Sequence, residues 1–391
     1  MEQEGSKWMK KYTDMFVKDI EVPDIVDKKM KDAFARIQTE GTMSANNFNQ
    51  KKVNKANRFK YPAAAVATIC VLTVGGTTAY AAYRHLWSSG MEGTLQATQE
   101  QQQQLSEEGI VTSFGGTEDY TDMAVTDGGI TVTPETMVVN DKLVHLSLSV
   151  GGYTLPEGAE PCFEFVDVYV GEEEQAEDGA LDMSGSFYDG TVMGEDGNRT
   201  YEDGTPVKTD KTGATVLKYT DENGKMEYVI SAMVARPGES LLGKTLHVKL
   251  KNLGTVDRTT FTGDEEGQWD YTFKLSEKSS MEVISTEKAL EGVPFTVTSV
   301  ELSSVAIKVN YNVTGEVRIV EDDLGIPEFN GVVLEDGTEI SCLKNGGMTG
   351  YADDSESEAY DVEAFNRVID TKQVKSILLR TENGIETVDI K

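Results

Sequence analysis

Tyr61 to Tyr83, YPAAAVATICVLTVGGTTAYAAY, holds no charged residue in a chain of 391 of which 26% is charged. As a helix it would reach roughly 34 Å at about 1.5 Å per residue, enough to cross a hydrocarbon core of about 30 Å. The stretch therefore predicts one transmembrane helix over 61–83, dividing the chain into a short side, 1–60, and a long side, 84–391. Ala79-Tyr80-Ala81 has the small-x-small form of a leader cleavage site, but a secretory leader carries its basic region at the very start, not after a long polar segment. Ile69 stands before Cys70 where lipoprotein processing wants a small residue. Gly75 and Ala79 form a small-xxx-small pair through which two spans could meet as a homodimer.

Basic residues beside a span set its orientation, because basic loops stay in the cytoplasm. Lys51, Lys52, Lys55, Arg58 and Lys60 precede the stretch, and Arg84 alone follows it. The N-terminus is therefore expected inside and the long side outside. Residues 1–60 carry 13 Lys+Arg against 9 Asp+Glu, and 61–391 carry 23 against 58, so the net charges are +4 and −35. An exterior that acidic argues against nucleic acid or an anionic membrane face as a partner.

The tail, 1–41, shows helical periodicity twice. Trp8, Tyr12, Met15, Phe16 and Ile20 recur at three- and four-residue steps, as do Val26, Met30, Ala33, Phe34 and Ile37 behind Pro23 and Asp24. Two short amphipathic helices cannot enclose a core of their own. Their mixed Lys, Asp and Glu faces favour a protein partner over a lipid surface. Trp8, Tyr12, Phe16, Val26, Met30, Phe34 and Ile37 are the candidate partner-binding residues. Residues 42–60, polar and basic without apolar periodicity, form a linker.

Residues 84–118 suit a juxtamembrane helix or stalk, with no apolar face over Gln101–Gln104. Beyond them the period becomes two. ITVTPETMVV (130–139) and KLVHLSLSV (142–150), joined at Asn140-Asp141, predict a hairpin. FEFVDVYV, ATVLKYT (214–220), MEYVISAMV, TLHVKLKNL and WDYTFKL continue a first β domain over 119–278. About seven further strands over 279–391 match an immunoglobulin-like sandwich by number and spacing. The fold expected is mainly β: a short helical tail, one span, and two sandwich-like extracytoplasmic domains.

Chemistry is sparse. The histidines, 85, 145 and 247, lie near no Cys or second His at metal-ligand spacing, and His145 alternates as a sheet residue. No nucleophile elbow, zinc-protease helix, phosphate loop or dinucleotide fingerprint occurs, so no catalytic residue, cofactor or metal site is expected and the chain is not expected to be an enzyme. The acidic runs near Glu195–Asp203 and Asp353–Asp361 offer oxygen ligands for calcium, but neither has the glycine and closing glutamate of an EF-hand loop. Cys162 and Cys342 are 180 positions apart and expected to be free, packing as small hydrophobes.

In this order of parts the chain resembles the domain of unknown function 4179 group of single-pass membrane proteins from Gram-positive bacteria, which looks like extracytoplasmic-function anti-sigma factors. The resemblance rests on IEVPDIVDKKMKDAF (20–34), the basic run, the Ala/Gly-rich span and GGITVTPETMVVNDKLVHLSLSV (128–150), over roughly residues 10–150. It implies an inner tail that sequesters a sigma factor until an unknown outer ligand or signal ends the restraint. Residues 1–60 lack the His and paired Cys of zinc-containing anti-sigma domains, so apolar helix faces would have to make the grip. The alternative is an envelope-anchored binding or structural protein without a signalling role.

Overall fold

Alternation of apolar and polar residues along many of the strands buries one face of each, and pairs of sheets then close over the buried faces. A computed structural model describes residues 67–69, 87–114, 123–171 and 181–391, apart from 212, 214, 237, 258–259, 318–323 and 353–354. The protein is mainly β.

The first sandwich is formed by β4 (Ile130–Val139), β5 (Leu143–Gly151), β6 (Glu160–Val170), β7 (Asp182–Phe187), β10 (Met226–Met233), β11 (Thr245–Asp257) and β12 (Thr260–Lys274). One sheet runs β4-β5-β10-β7, extended beyond β4 by β2 (Val111–Ser113) and β3 (Val125–Asp127); the other runs β12-β11-β6. Lettered A to G along the chain, these are sheets A-B-E-D and G-F-C, the immunoglobulin order. A small hairpin, β8 (Thr191–Met193) and β9 (Arg199–Tyr201), is inserted between D and E. Phe163, Leu148, Leu250, Trp269 and Phe273 fill the space between the sheets.

The second sandwich repeats the order. Its strands are β13 (Glu282–Ala289), β14 (Phe295–Leu302), β15 (Ala306–Val313), β16 (Glu328–Leu334), β17 (Glu339–Ser341), β18 (Lys344–Tyr351), β19 (Glu358–Phe365), β20 (Val374–Thr381) and β21 (Gly384–Asp389). The sheets run β13-β14-β15-β19-β18 and β17-β16-β20-β21, which is A-B-E-D with one extra strand outside A, facing C′-C-F-G. Phe295, Val309, Tyr311, Phe329, Phe365 and Ile377 make its core.

Several expectations are corrected. The uncharged stretch 61–83 lies outside the described residues except for Ala67–Ile69, and these form β1, a strand pairing in parallel with Tyr271–Phe273 of β12, not a turn of helix. The open backbone edge of β12 offers hydrogen bonds to any extended neighbour, and Thr68 and Ile69 are β-branched, so a short apolar run suits either state. Among the described residues no helix is long and apolar enough to cross a membrane. No strand forms over 216–220, where β10 is already flanked by β5 and β7 and offers no edge. The segment expected to be a juxtamembrane helix or stalk contains two short packed helices, α1 (Ser89–Thr94) and α2 (Gln99–Glu107).

Candidate functional site at the junction of the two sandwiches

Every residue of β5 from Leu143 to Leu148 is buried, where a sheet with one wet face would alternate, so the outer face of this strand is covered too. A third core accounts for it. Trp87, Met91, Leu95 and Leu105, none more than 2% exposed, pack with Val138, Leu143 and Met233 from the outer face of the first A-B-E-D sheet and with Val305, Tyr360 and Val362 from the second sandwich. Both sandwiches and residues 87–110 belong to one unit, Ala63–Lys391. We call residues 87–110 the strap.

Local sequence explains the strap's shape. Ser88 caps α1 through its side chain, and Thr98 caps α2 in a capping box with Gln101, each satisfying amides that a helix start leaves free. Gly90 and Gly93 bring the backbone of α1 onto the first sandwich. A Cβ at Gly90 would lie 3.0 Å from Val229 Cγ2, and one at Gly93 would sit inside the ring of Tyr188. That closeness lets the Gly90 amide donate to the Glu227 carboxylate of β10. Burial raises the Glu227 pKa, opposed by its bonds with Ser88 and the Gly90 amide. Ser88 also bonds Ser147 Oγ at 2.6 Å and donates its amide to Thr136 Oγ1 at 3.3 Å.

The other end of the strap is tied to the second sandwich. Gln96 makes an isolated parallel bridge with Arg367, its amide donating to Asn366 O and its carbonyl accepting from Val368 N, both at 2.8 Å. Asn345 Nδ2 donates to Thr94 O at 2.8 Å, and Gln101 Nε2 donates to Val368 O at 3.1 Å. The A–B turns of the sandwiches also touch, Asn140 Nδ2 donating to Ser303 Oγ at 3.1 Å, and in the segment joining the sandwiches Ser280 N donates to Asp141 Oδ2 at 3.1 Å. Lys142 and Lys308, 7% and 2% exposed, lie 3.9 and 3.8 Å from the two carboxylate oxygens of Glu301. Burial and the neighbouring Lys142 charge lower the pKa of Lys308, while Glu301 pulls it back up.

At the rim of this junction lies an open groove of about 510 Å³. It is lined by Gln96 and Gln101 of the strap, Ile340, Arg367 and Asp370 of the second sandwich and Glu195 of the first. Its polar groups are engaged within the protein, Gln96 Nε2 donating to Met193 O at 2.6 Å, Gln101 Nε2 to Val368 O at 3.1 Å and Arg367 Nη2 to Gly194 O at 3.1 Å, so a ligand here would meet them by exchange or beside these bonds.

His145 sits on the same outer face, fully buried, with Nδ1 2.7 Å from Ser231 Oγ and Nε2 without a partner. Burial lowers its pKa to about 4. A Ser–His contact is the geometry of a nucleophile and its base, but among the described residues no carboxylate bonds the ring, which is fully buried, so it reads as a sheet residue. Among the described residues no group of three or more His, Cys, Asp or Glu side chains is placed to hold a metal ion. Asp196 and Asp203, in the acidic run considered for calcium, are occupied by Asn198 and by Thr205 of their own turns; Asp353 and Asp354 lie outside the described residues. Cys162 and Cys342 are free thiols, the first half-buried and the second exposed instead of packed, on a residue with φ 58°.

Trp8, Tyr12, Phe16, Val26, Met30, Phe34 and Ile37 all lie outside the described residues. The groups that build the junction, Ser88, Gly90, Gly93, Gln96 and Glu227, were not singled out by sequence reasoning. Thr98-x-x-Gln101 and the Gly90-x-x-Gly93 spacing were the available signals. No family profile matches the chain, and no curated protein matches it. A conserved domain protein from Bacillus anthracis, known from its crystal structure, is similar with a TM-score of 0.42 and 13% identity over 71% of this chain and 82% of that one.

Proposed function

We propose that this chain is a single-pass membrane regulator of the anti-sigma type: a cytoplasmic tail holds a transcription partner, and an extracytoplasmic pair of β-sandwiches controls that hold. One observation carries the reading. From Trp87, three residues beyond Arg84, the chain is tied into both sandwiches, so any change in how they meet acts on the segment leading back to the uncharged stretch. The basic flank before that stretch and the two apolar stripes read from the tail's sequence support the orientation and the effector role.

Anchoring requires Ala67–Ile69 to leave the edge of β12, because backbone paired to a soluble sheet is not in a bilayer. Fractionation of cells tests this directly: the chain should pellet with membranes and resist carbonate extraction. A fully soluble chain would end the anchoring reading. The effector reading predicts that a sigma factor co-purifies with the full-length protein and that Phe34→Asp weakens the complex by placing a charge at an apolar anchor. Capture of no transcription component from cells holding intact protein would refute it.

The groove favours a second reading, an anchored binding protein without output. Deleting residues 1–45 separates the two: a regulator loses control of its target genes, whereas a binding protein keeps its function.

A further inference from the structure

We infer that the strap and the closure of the two sandwiches form one cooperative element, in which residues 87–110 stay folded only while both sandwiches face them. This goes beyond the membrane reading and does not depend on it.

Helices of 6 and 9 residues do not persist alone in water, because nucleation costs more than so few bonds return. The strap must draw its stability from its surroundings, and these are divided. The start of α1 is held by Ser147, Thr136 and Glu227 of the first sandwich. The end of α1 and the Gln96 link are held by Asn345, Asn366 and Val368 of the second. Its apolar side chains share one core with both. Removing either surface exposes Met91 and Leu95 and cuts about half of the polar ties.

The dependence runs both ways. With the strap gone, Val138, Leu143 and Met233 on one side and Val305, Tyr360 and Val362 on the other lose the filler between them. The direct ties that would remain, among them Asn140–Ser303, Asp141 with Ser279 and Ser280, the Lys142–Glu301 pair, and Arg367 on Gly194 O and Glu195, are polar. The contact also carries unmet cost, since Trp87 Nε1 and His145 Nε2 are buried without partners. The junction is therefore poised to open. On opening, the strap becomes an extended tether on the order of 80 Å long at full stretch.

Hydrogen exchange on the full chain, followed by mass spectrometry, tests the coupling from both ends. Gly93→Ala drives a methyl into the Tyr188 ring and should speed exchange of the strap amides by at least about tenfold. The same variant should also speed exchange at Ser280, whose amide bonds Asp141, read in a Lys278→Ala background because Lys278 Nζ donates to Glu108 O of the strap at 2.7 Å. Ala306→Asp places a charge in the shared core from the second sandwich and should speed exchange at Gly90 and Gln102 in the strap. Reciprocity of this kind is what distinguishes a coupled element from two local lesions. A Gly93→Ala chain with a released strap and an unchanged Ser280 peptide would overturn the inference. So would an Ala306→Asp chain with an opened junction and a protected strap. Should Ala306→Asp unfold the second sandwich, seen as lost protection of β20, Tyr360→Ala removes cover without inserting a charge and is judged by the same two peptides.

Discussion

The two sandwiches run their strands in one order yet differ in the ionisable groups that corresponding strands bury. In the first, a neutral base, His145, lies on strand B and faces the strap side of the sheet. In the second, two acids, Asp361 and Glu363, lie two residues apart on strand E and share one cation, Lys344. Asp361 reaches the opposite sheet, accepting from Phe329 N at 2.6 Å and from Thr349 Oγ1 at 2.9 Å. Burial raises the Glu363 pKa to about 7, the Asp361 charge adds to the rise, and Lys344 holds it back. Burial works against the Lys344 ammonium, but its bond to Glu363 prevails and its pKa rises. Topology thus leaves the chemistry of the interior open; what decides it is which positions have a backbone amide or an opposite charge within reach.

The largest test of this comparison is Phe273→Ala, which empties the first core beside Phe114 and Tyr271 and should cost about 3–5 kcal/mol. Trp269 sits in the first core and the second sandwich has no tryptophan, so with Trp8 and Trp87 replaced by Phe, fluorescence-detected urea unfolding follows the first and circular dichroism follows both. If only the fluorescence midpoint falls, the sandwiches are independent; a joint fall makes them one cooperative system.

Acidification should separate them next. His145 has a folded pKa below its unfolded value of 6.5, so its contribution is present above pH 6.5 and lost as the pH falls through about 4, an effect of up to about 3 kcal/mol. Glu363 is raised from 4.5, so its contribution is present below pH 4.5 and lost as the pH rises through about 7. Between pH 7.5 and 5 the fluorescence midpoint should drop while the second sandwich holds or gains; parallel shifts in both would contradict the opposed signs.

Asp361→Ala should cost about 1–3 kcal/mol by orphaning the Phe329 amide, and should act on the second sandwich alone. The smallest contrast is in the thiols. Cys342 is exposed, whereas burial and the nearby Glu160 raise the pKa of half-buried Cys162, so maleimide should label Cys342 first in the native chain. Faster labelling of Cys162 would mean that the first sandwich opens locally.

Much of the β architecture is legible in alternation. ITVTPETMVV, MEYVISAM and the strands from 295 to 313 bury one set of side chains in a core, and period two announces that. DMSGSF (182–187) and KNGGMTGY (344–351) form strands without it, because each is a D strand at a sheet edge, held by backbone pairing to a better neighbour. The candidate junction was hardly legible. Gln102, inside a run with no apolar face, is 2% exposed because its amide bonds Glu92 and Ala97 O beneath the turn of the strap.

The amino-acid sequence alone determined that this is a β-rich, strongly acidic chain with one long uncharged stretch and a tail bearing two apolar stripes, since composition and periodicity are local properties. Only the tertiary structure decided that Ala67–Ile69 pair along β12, that both sandwiches follow one strand order, and that the segment after the uncharged stretch is stitched between them. The reason is that a helix of 6 residues has no stability to announce in its own sequence; it exists because two surfaces far apart in the chain meet over it.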